Sequence, residues 1–263
     1  MIWWIVALRA AIGAGFVMTV SAVAERLGPF WGGLLVSLPV SAGPAFVMLA
    51  LEQDDAFIAE GAIGGLVANA VTQAFIMVIV VLAPRWRWPF VLPAAILTWL
   101  LGAAVTRQFE WSLTAAFLFN VVVFAVFLPL TRKVLRVGTS GARPGGRRWF
   151  ELPLRGLMVG ALVATVVTSS SWIGPTLSGM AAVFPIMLTG LALMALPRLG
   201  GLATAALFAG AMRAMQGFAI GLTILAMTAI PFGAWWGMAA ALAGQLGFSA
   251  LLLLSMQRRR RGQ

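Results

Sequence analysis

A chain of 263 residues that is 62% hydrophobic and 10% charged, with a formal net charge of +11, is too apolar for a soluble domain and reads as an all-α, polytopic membrane protein. It holds no Cys, His or Tyr, which removes the usual zinc ligands, the thiol nucleophile and the neutral-pH general base. Redox and zinc chemistry are therefore excluded, and no cofactor, metal or enzymatic activity is expected; the one acid cluster, Asp54, Asp55 and Glu60, reads more simply as a solvated loop.

Runs long enough to cross a ~30 Å hydrocarbon core at 1.5 Å per residue fall at about residues 2–26, 30–51, 57–83, 88–106, 110–130, 153–172, 175–196, 203–229 and 232–255. The reading is about nine transmembrane helices. Eight spans with a re-entrant segment is the competing count, because the fourth, bounded by Pro89, Pro93 and Arg107, is the shortest. The opening MIWWIVALRA has no basic leader and Arg9 interrupts its apolar run, so the first helix is expected to remain as a span.

With the spans numbered in order, charge segregates. Arg26, Arg85, Arg87, Arg132, Lys133, Arg136, Arg143, Arg147, Arg148, Arg155, Arg198 and the run Arg258 to Arg261 share one face, while the other has Arg107 with Glu52, Asp54, Asp55, Glu60 and Glu110. The positive-inside rule then puts the N-terminus outside and the C-terminal tail in the cytoplasm. Arg far outnumbers Lys, whose one instance is Lys133, and the composition suits a bacterial inner membrane. Trp3, Trp4, Trp86, Trp88, Trp111, Trp149, Trp172, Trp235 and Trp236 stand near span ends, as in an aromatic belt. The basic stretch 131–152 reads as a solvated linker that meets anionic headgroups, with no sign of a nucleic-acid partner.

Residues 8–40 align without a gap on residues 154–186, an offset of 186 − 40 = 146. Arg9 matches Arg155, and Gly28, Pro29, Gly33 and Pro39 match Gly174, Pro175, Gly179 and Pro185. An odd number of spans between the copies turns the second upside down, so the expected architecture is two inverted four-helix repeats joined by a central linking helix. The division is 1–106 for the first repeat, 107–152 for the linking helix and basic loop, and 153–263 for the second repeat and its tail.

The costliest residue is Arg213, near the middle of the eighth span with no Asp or Glu at its depth; it calls for an anion or for freed backbone carbonyls. Arg9 and Arg155 fall at mirrored positions and could receive an anion from either side, or simply snorkel. Pro39 and Pro185 are expected to break the second and seventh helices. After the first break, Ser37, Ser41, Gly43 and Pro44 could open a half-helix whose amides face an anion. Asn69 and Gln73 in the third span echo Arg213 and Gln216 in the eighth if about three residues are deleted between the copies, which suggests a shared polar centre. Met212 and Met215 flank it as adaptable lining or plain core. Glu25 is the weak candidate for proton coupling. Gly32, Gly33, Ser178 and Gly179 permit close helix contact.

At GPFWGGLLVSLPVSAGPAFVMLALEQDD the chain resembles a family of small, uncharacterised bacterial four-span membrane proteins whose second helix carries FxGGLLxxLP, matched by Phe30, Gly32, Gly33, Leu34, Leu35, Leu38 and Pro39. The resemblance covers roughly residues 1–106 and implies a duplicated and fused descendant of a half-sized ancestor. It implies no substrate. From the repeat, the expected function is a secondary transporter or flippase for an anionic organic solute or lipid, working by alternating access. The competing reading is a noncatalytic lipid-binding subunit or assembly factor of a membrane complex. Expected partners are an anionic small molecule or lipid and the surrounding membrane lipids; a homodimer is compatible with either reading.

Overall fold

The computed structural model describes residues 3–26, 42–134 and 151–261. Within them every regular element is a helix: α1 (Trp3–Arg26), α2 (Ala42–Glu52), α3 (Asp55–Leu82), α4 (Trp88–Thr106), α5 (Leu113–Val134), α6 (Glu151–Ala182), α7 (Ile186–Leu199), α8 (Gly201–Phe232) and α9 (Ala234–Arg261). Among the described residues six stretches are long and apolar enough to cross a membrane, one of them the 47-residue run Pro153–Leu199 that takes in α6 and α7. The chain is thus an all-helical, polytopic membrane protein, with α2 and α7 too short to cross on their own: 11 and 14 residues rise only roughly 16 and 21 Å.

Local chemistry sets the helix ends. Asp54 caps α3 by accepting from the Phe57 amide at 2.8 Å. Arg87 precedes α4, whose Pro89 fills a first-turn position where no backbone donor is needed. Gly200 and Gly233, at φ 76° and 84°, turn the chain between α7, α8 and α9 in a backbone region that a side chain disfavours. The start of α9 has no cap of its own. Instead Asp55, at the start of α3, accepts from the Ala234 amide at 2.7 Å. Asp54 and Asp55 are therefore structural acceptors, and Glu60 likewise accepts from the Thr176 hydroxyl at 2.7 Å.

The most enclosed helix is α3, packed against α4, α5, α6 and α8. Leu66, Phe75, Ile76 and Ile79 on α3 and Phe208 and Met212 on α8 are fully buried, whereas α4 and α5 turn Leu97, Leu101, Leu118, Val122 and Val126 outward to lipid. Trp4, Trp86, Trp88, Trp172, Trp235 and Trp236 are exposed, as lipid-interface residues are.

Backbone contact fixes how closely α3 and α6 meet. Gly61 faces Pro175 and Gly179, and Gly65 faces Gly179 and Val183, so the two run in the same direction there. A Cβ on Gly179 would fall 1.7 Å from the Gly61 carbonyl oxygen, a clash no rotamer change relieves. We expect Gly179→Ala to cost at least about 2 kcal/mol, or to abolish folding, read as a fall in Tm in detergent. Gly210→Ala, where a Cβ meets nothing within 4 Å, should leave Tm level or raise it.

Candidate functional site

The centre of the bundle holds a chain of amides whose orientations are forced by the backbone. Asn120, on α5, donates its two N–H groups to the carbonyls of Leu66 (2.7 Å) and Ala116 (2.9 Å). Turning the amide over would set oxygen against oxygen, so Asn120 Oδ1 must face α3. There it accepts from Asn69 Nδ2 at 2.8 Å, which in turn fixes Asn69. One turn on, Gln73 Nε2 donates to the Asn69 carbonyl at 3.0 Å. Two acceptors are left over: Asn69 Oδ1 and Gln73 Oε1 are buried and have no partner among the described residues. Beside them Trp99 Nε1 donates to Thr72 Oγ1 at 3.1 Å, and Thr72 donates to the Ala68 carbonyl at 2.8 Å.

Asn120 also lines a groove of about 350 Å³ between α5, α8 and α9, with Gln216 opposite and Phe117, Phe124, Ile220 and Phe248 around them. Hydrogen bonds thus join Asn69, Gln73 and Asn120, while Gln216 shares a groove with Asn120 and has no hydrogen bond to the other two among the described residues. Asn120 was missed in the sequence reading. Its signal was a lone amide in the apolar run FLFNVVVF. The deletion that set Gln216 opposite Gln73 is not needed, because α3 and α8 start at residues 55 and 201, and α4 and α9 at 88 and 234, both 146 apart. At that spacing Gln73 falls opposite Ala219.

Arg213 lies three residues before Gln216 on α8, half-buried, and among the described residues it has neither a hydrogen bond nor an ion pair. Met212 beside it is core, while Met215 is half-buried.

The break expected at Pro185 is present. α6 is kinked at Gly174 (φ 78°), helix ends at Ala182, and α7 restarts at Ile186 with Pro185 as its N-cap and no side-chain cap. The first-turn amides of Met187 and Leu188 donate to no acceptor among the described residues. Phe184, in the break, meets Trp99 edge-on at 4.9 Å between ring centroids. In the first half Gly43 and Pro44 lie in the first turn of α2, while Ser37, Pro39 and Ser41 lie outside the described residues, as do Phe30 to Leu38 of the four-span signature.

Arg9 departs from expectation. No acidic residue neighbours it in sequence, yet its guanidinium pairs with Glu52 at 2.5 Å and donates to Thr168 Oγ1 at 2.9 Å, with Nε buried and without a partner among the described residues. The fold supplies the counter-ion from the end of α2. Gln53 adds a second bridge, donating to Ser170 Oγ at 3.2 Å. Together they lace the end of α2 and the start of α1 to α6. Arg155 is half-buried near the start of α6 and is not a free cation. The side chain of Glu25 lies outside those described. At the end of α3 opposite Arg85 and Arg87, Glu60, Arg107, Glu110, Trp111 and Thr176 line a cavity of about 600 Å³. Among the described residues no group of three or more His, Cys, Asp or Glu could hold a metal.

Removing one member of each polar set has a defined cost. Asn120→Leu leaves the Asn69 amide without its acceptor and should destabilise by about 1–3 kcal/mol, with part of that loss recovered in the double variant with Asn69→Leu, measured as a double-mutant cycle in Tm. Glu52→Gln leaves a largely buried guanidinium without its counter-charge and should lower Tm, while the exchange Arg9→Glu with Glu52→Arg should recover a measurable part of that loss. No protein-family model matches this chain, and neither a curated protein nor a solved structure matches it.

Proposed function

We propose that the chain is a secondary transporter or flippase for an anionic organic solute or lipid, built from two inverted halves that rock about a shared axis in the bacterial inner membrane. The observation that carries this reading is the contact set between α1 and α6. Gly156 faces Ala14 and Met18, and Gly160 faces Ala10 and Ala14, so the two helices are antiparallel. Gly156 follows Ala10 by 146 residues and Gly160 follows Ala14 by the same number. Exchanging the halves therefore turns the contact Ala10–Gly160 into Ala14–Gly156 and leaves Ala14–Gly160 unchanged, which is how a two-fold axis in the membrane plane acts on antiparallel partners. α3 and α8 are also antiparallel: Gly65 meets Leu222, while Ala83 and Pro84 meet Gly201.

The site supports an anion as cargo. α7 begins inside the bundle with amides that lack acceptors, and the positive end of its dipole has no capping side chain. Arg213 adds a charge that costs at least ~2.5 kcal/mol to bury and finds no acidic partner among the described residues. The groove bearing Asn120 and Gln216 is otherwise apolar and aromatic, which suits an amphipathic molecule entering from the bilayer. The Arg9–Glu52–Thr168 bridge then acts as a latch at the outer end. Its counterpart at the inner end, 146 residues on, is Arg155 with Arg198, two like charges that cannot form the same pair. The N-terminus lies outside and the arginine tail in the cytoplasm.

Thermal stabilisation of the purified protein tests the cargo class. A short-chain phosphatidylglycerol or octanoate should raise Tm in wild type, and Arg213→Ala should fold with the wild-type elution profile and lose that rise. Equal stabilisation of wild type and Arg213→Ala by both probes would remove Arg213 from the binding site. A neutral short-chain diacylglycerol stabilising as well as phosphatidylglycerol would remove the anion.

A further inference from the structure

We infer that the cavity between the start of α3, the α4–α5 connection and the part of α6 after its kink binds a zwitterion: a small molecule or lipid headgroup that carries both a primary ammonium and an anionic group. The inference goes beyond the transport reading and does not rest on it. The cavity measures about 600 Å³ and is lined by Glu60 from α3, by Arg107, Glu110 and Trp111 from the connection, and by Thr176 from α6, a size ordinary for a small-molecule pocket. Its walls are held by bonds of their own. Trp111 Nε1 donates to the Thr106 carbonyl at 2.8 Å, and its ring lies 5.2 Å from that of Phe119 between centroids. Ser112 Oγ accepts from the Ala115 amide at 3.2 Å where α5 begins. On the facing wall the Thr176 hydroxyl holds one oxygen of Glu60 at 2.7 Å.

The charges on these walls are not spent on one another. Arg107, Glu110 and Glu60 line one cavity, yet no ion pair joins any two of them among the described residues, and the Arg107 guanidinium and the Glu110 carboxylate have no hydrogen bond there either. Nor does the repeat call for them, since 146 residues on from Glu60, Arg107 and Glu110 stand Ala206, Leu253 and Met256. Two carboxylates against one guanidinium make the lining net acidic in a chain of net charge +11, which disfavours a simple anion, while a simple cation would leave Arg107 without a counter-charge. A ligand with both signs answers the whole set. Its ammonium meets the two carboxylates beside the Phe109 and Trp111 rings, whose faces attract a cation. Its anionic end meets Arg107, whose planar fork suits a phosphate or carboxylate. Glu60, Arg107 and Glu110 are exposed, so the ligand reaches them without parting the helices.

The test is the Tm of the full chain in detergent with phosphoethanolamine, with ethanolamine and with inorganic phosphate at equal ionic strength, and with dihexanoyl phosphatidylethanolamine. The expected result is a saturable rise with a zwitterion that neither ethanolamine nor phosphate reproduces. A rise with phosphoethanolamine makes the ligand a free solute, and a rise with the phospholipid alone makes it a headgroup. Glu110→Gln and Arg107→Gln change exposed groups that bond to nothing in the fold, so both should fold and each should weaken the apparent affinity by about tenfold or more. Arg213→Ala should keep the wild-type response, which separates this site from the one probed with phosphatidylglycerol. No rise with either zwitterion, or an equal rise with ethanolamine or phosphate alone, would overturn the inference. So would a wild-type response in both cavity variants, or loss of the response in Arg213→Ala.

Discussion

Hydrocarbon offers no hydrogen bonds, so each polar group that enters the bilayer has to find its partner inside the protein. Most of this chain obeys the constraint by local means: Thr72, Thr98, Thr165, Thr189, Thr204 and Thr223 each return a hydroxyl hydrogen to the carbonyl four residues back. The amides on α3 and α5 obey it through tertiary contact, and in doing so fix the rotation of α5 about the central helix. Among the described residues the oxygens of Asn69 and Gln73 and the guanidinium of Arg213 find no protein partner, which leaves each open to a bound water or ligand.

The same constraint explains why backbone can be irregular at the Phe184–Pro185 break. Helix can stop inside a membrane where protein surrounds the exposed amides and carbonyls. Val183 lies against Gly65, and Phe184 lies against Trp99, which is itself tied to Thr72, so the break is enclosed by α3 and α4. That enclosure depends on glycine. Gly64 and Gly179 let two backbones approach to a distance that any side chain forbids, and the approach carries the segment after Gly174 against the first third of α3.

What the sequence made legible was whatever has a local or periodic cause. Membrane class follows from composition, the start of α4 from Pro89, the α6–α7 break from Pro185, and the tight contact from Gly179, whereas Asp54, expected in a solvated loop, caps α3. The interactions that need the chain to fold first were hidden. Arg9 meets Glu52 only because α1 and α2 are brought together, and Asp55 caps a helix that starts at residue 234. Asn69 and Gln73 stood out as amides in an apolar span, yet their orphaned oxygens can be seen only once Asn120 is known to hold both its hydrogens on backbone. The pairing of Gln73 with Gln216 was drawn from similarity of short strings; the spacing of the helix starts, set by turns, is the better guide to register.

The central claim is that the two halves thread the bilayer in opposite senses, and the absence of native cysteine makes it directly measurable. Trp86 and Phe232 are exposed and stand 146 residues apart, in the turn after α3 and at the end of α8. Single variants Trp86→Cys and Phe232→Cys can be treated with a membrane-impermeant maleimide in right-side-out and inside-out vesicles. The account predicts that residue 232 reacts only in right-side-out vesicles and residue 86 only in inside-out ones. Labelling of both from the same side would contradict it.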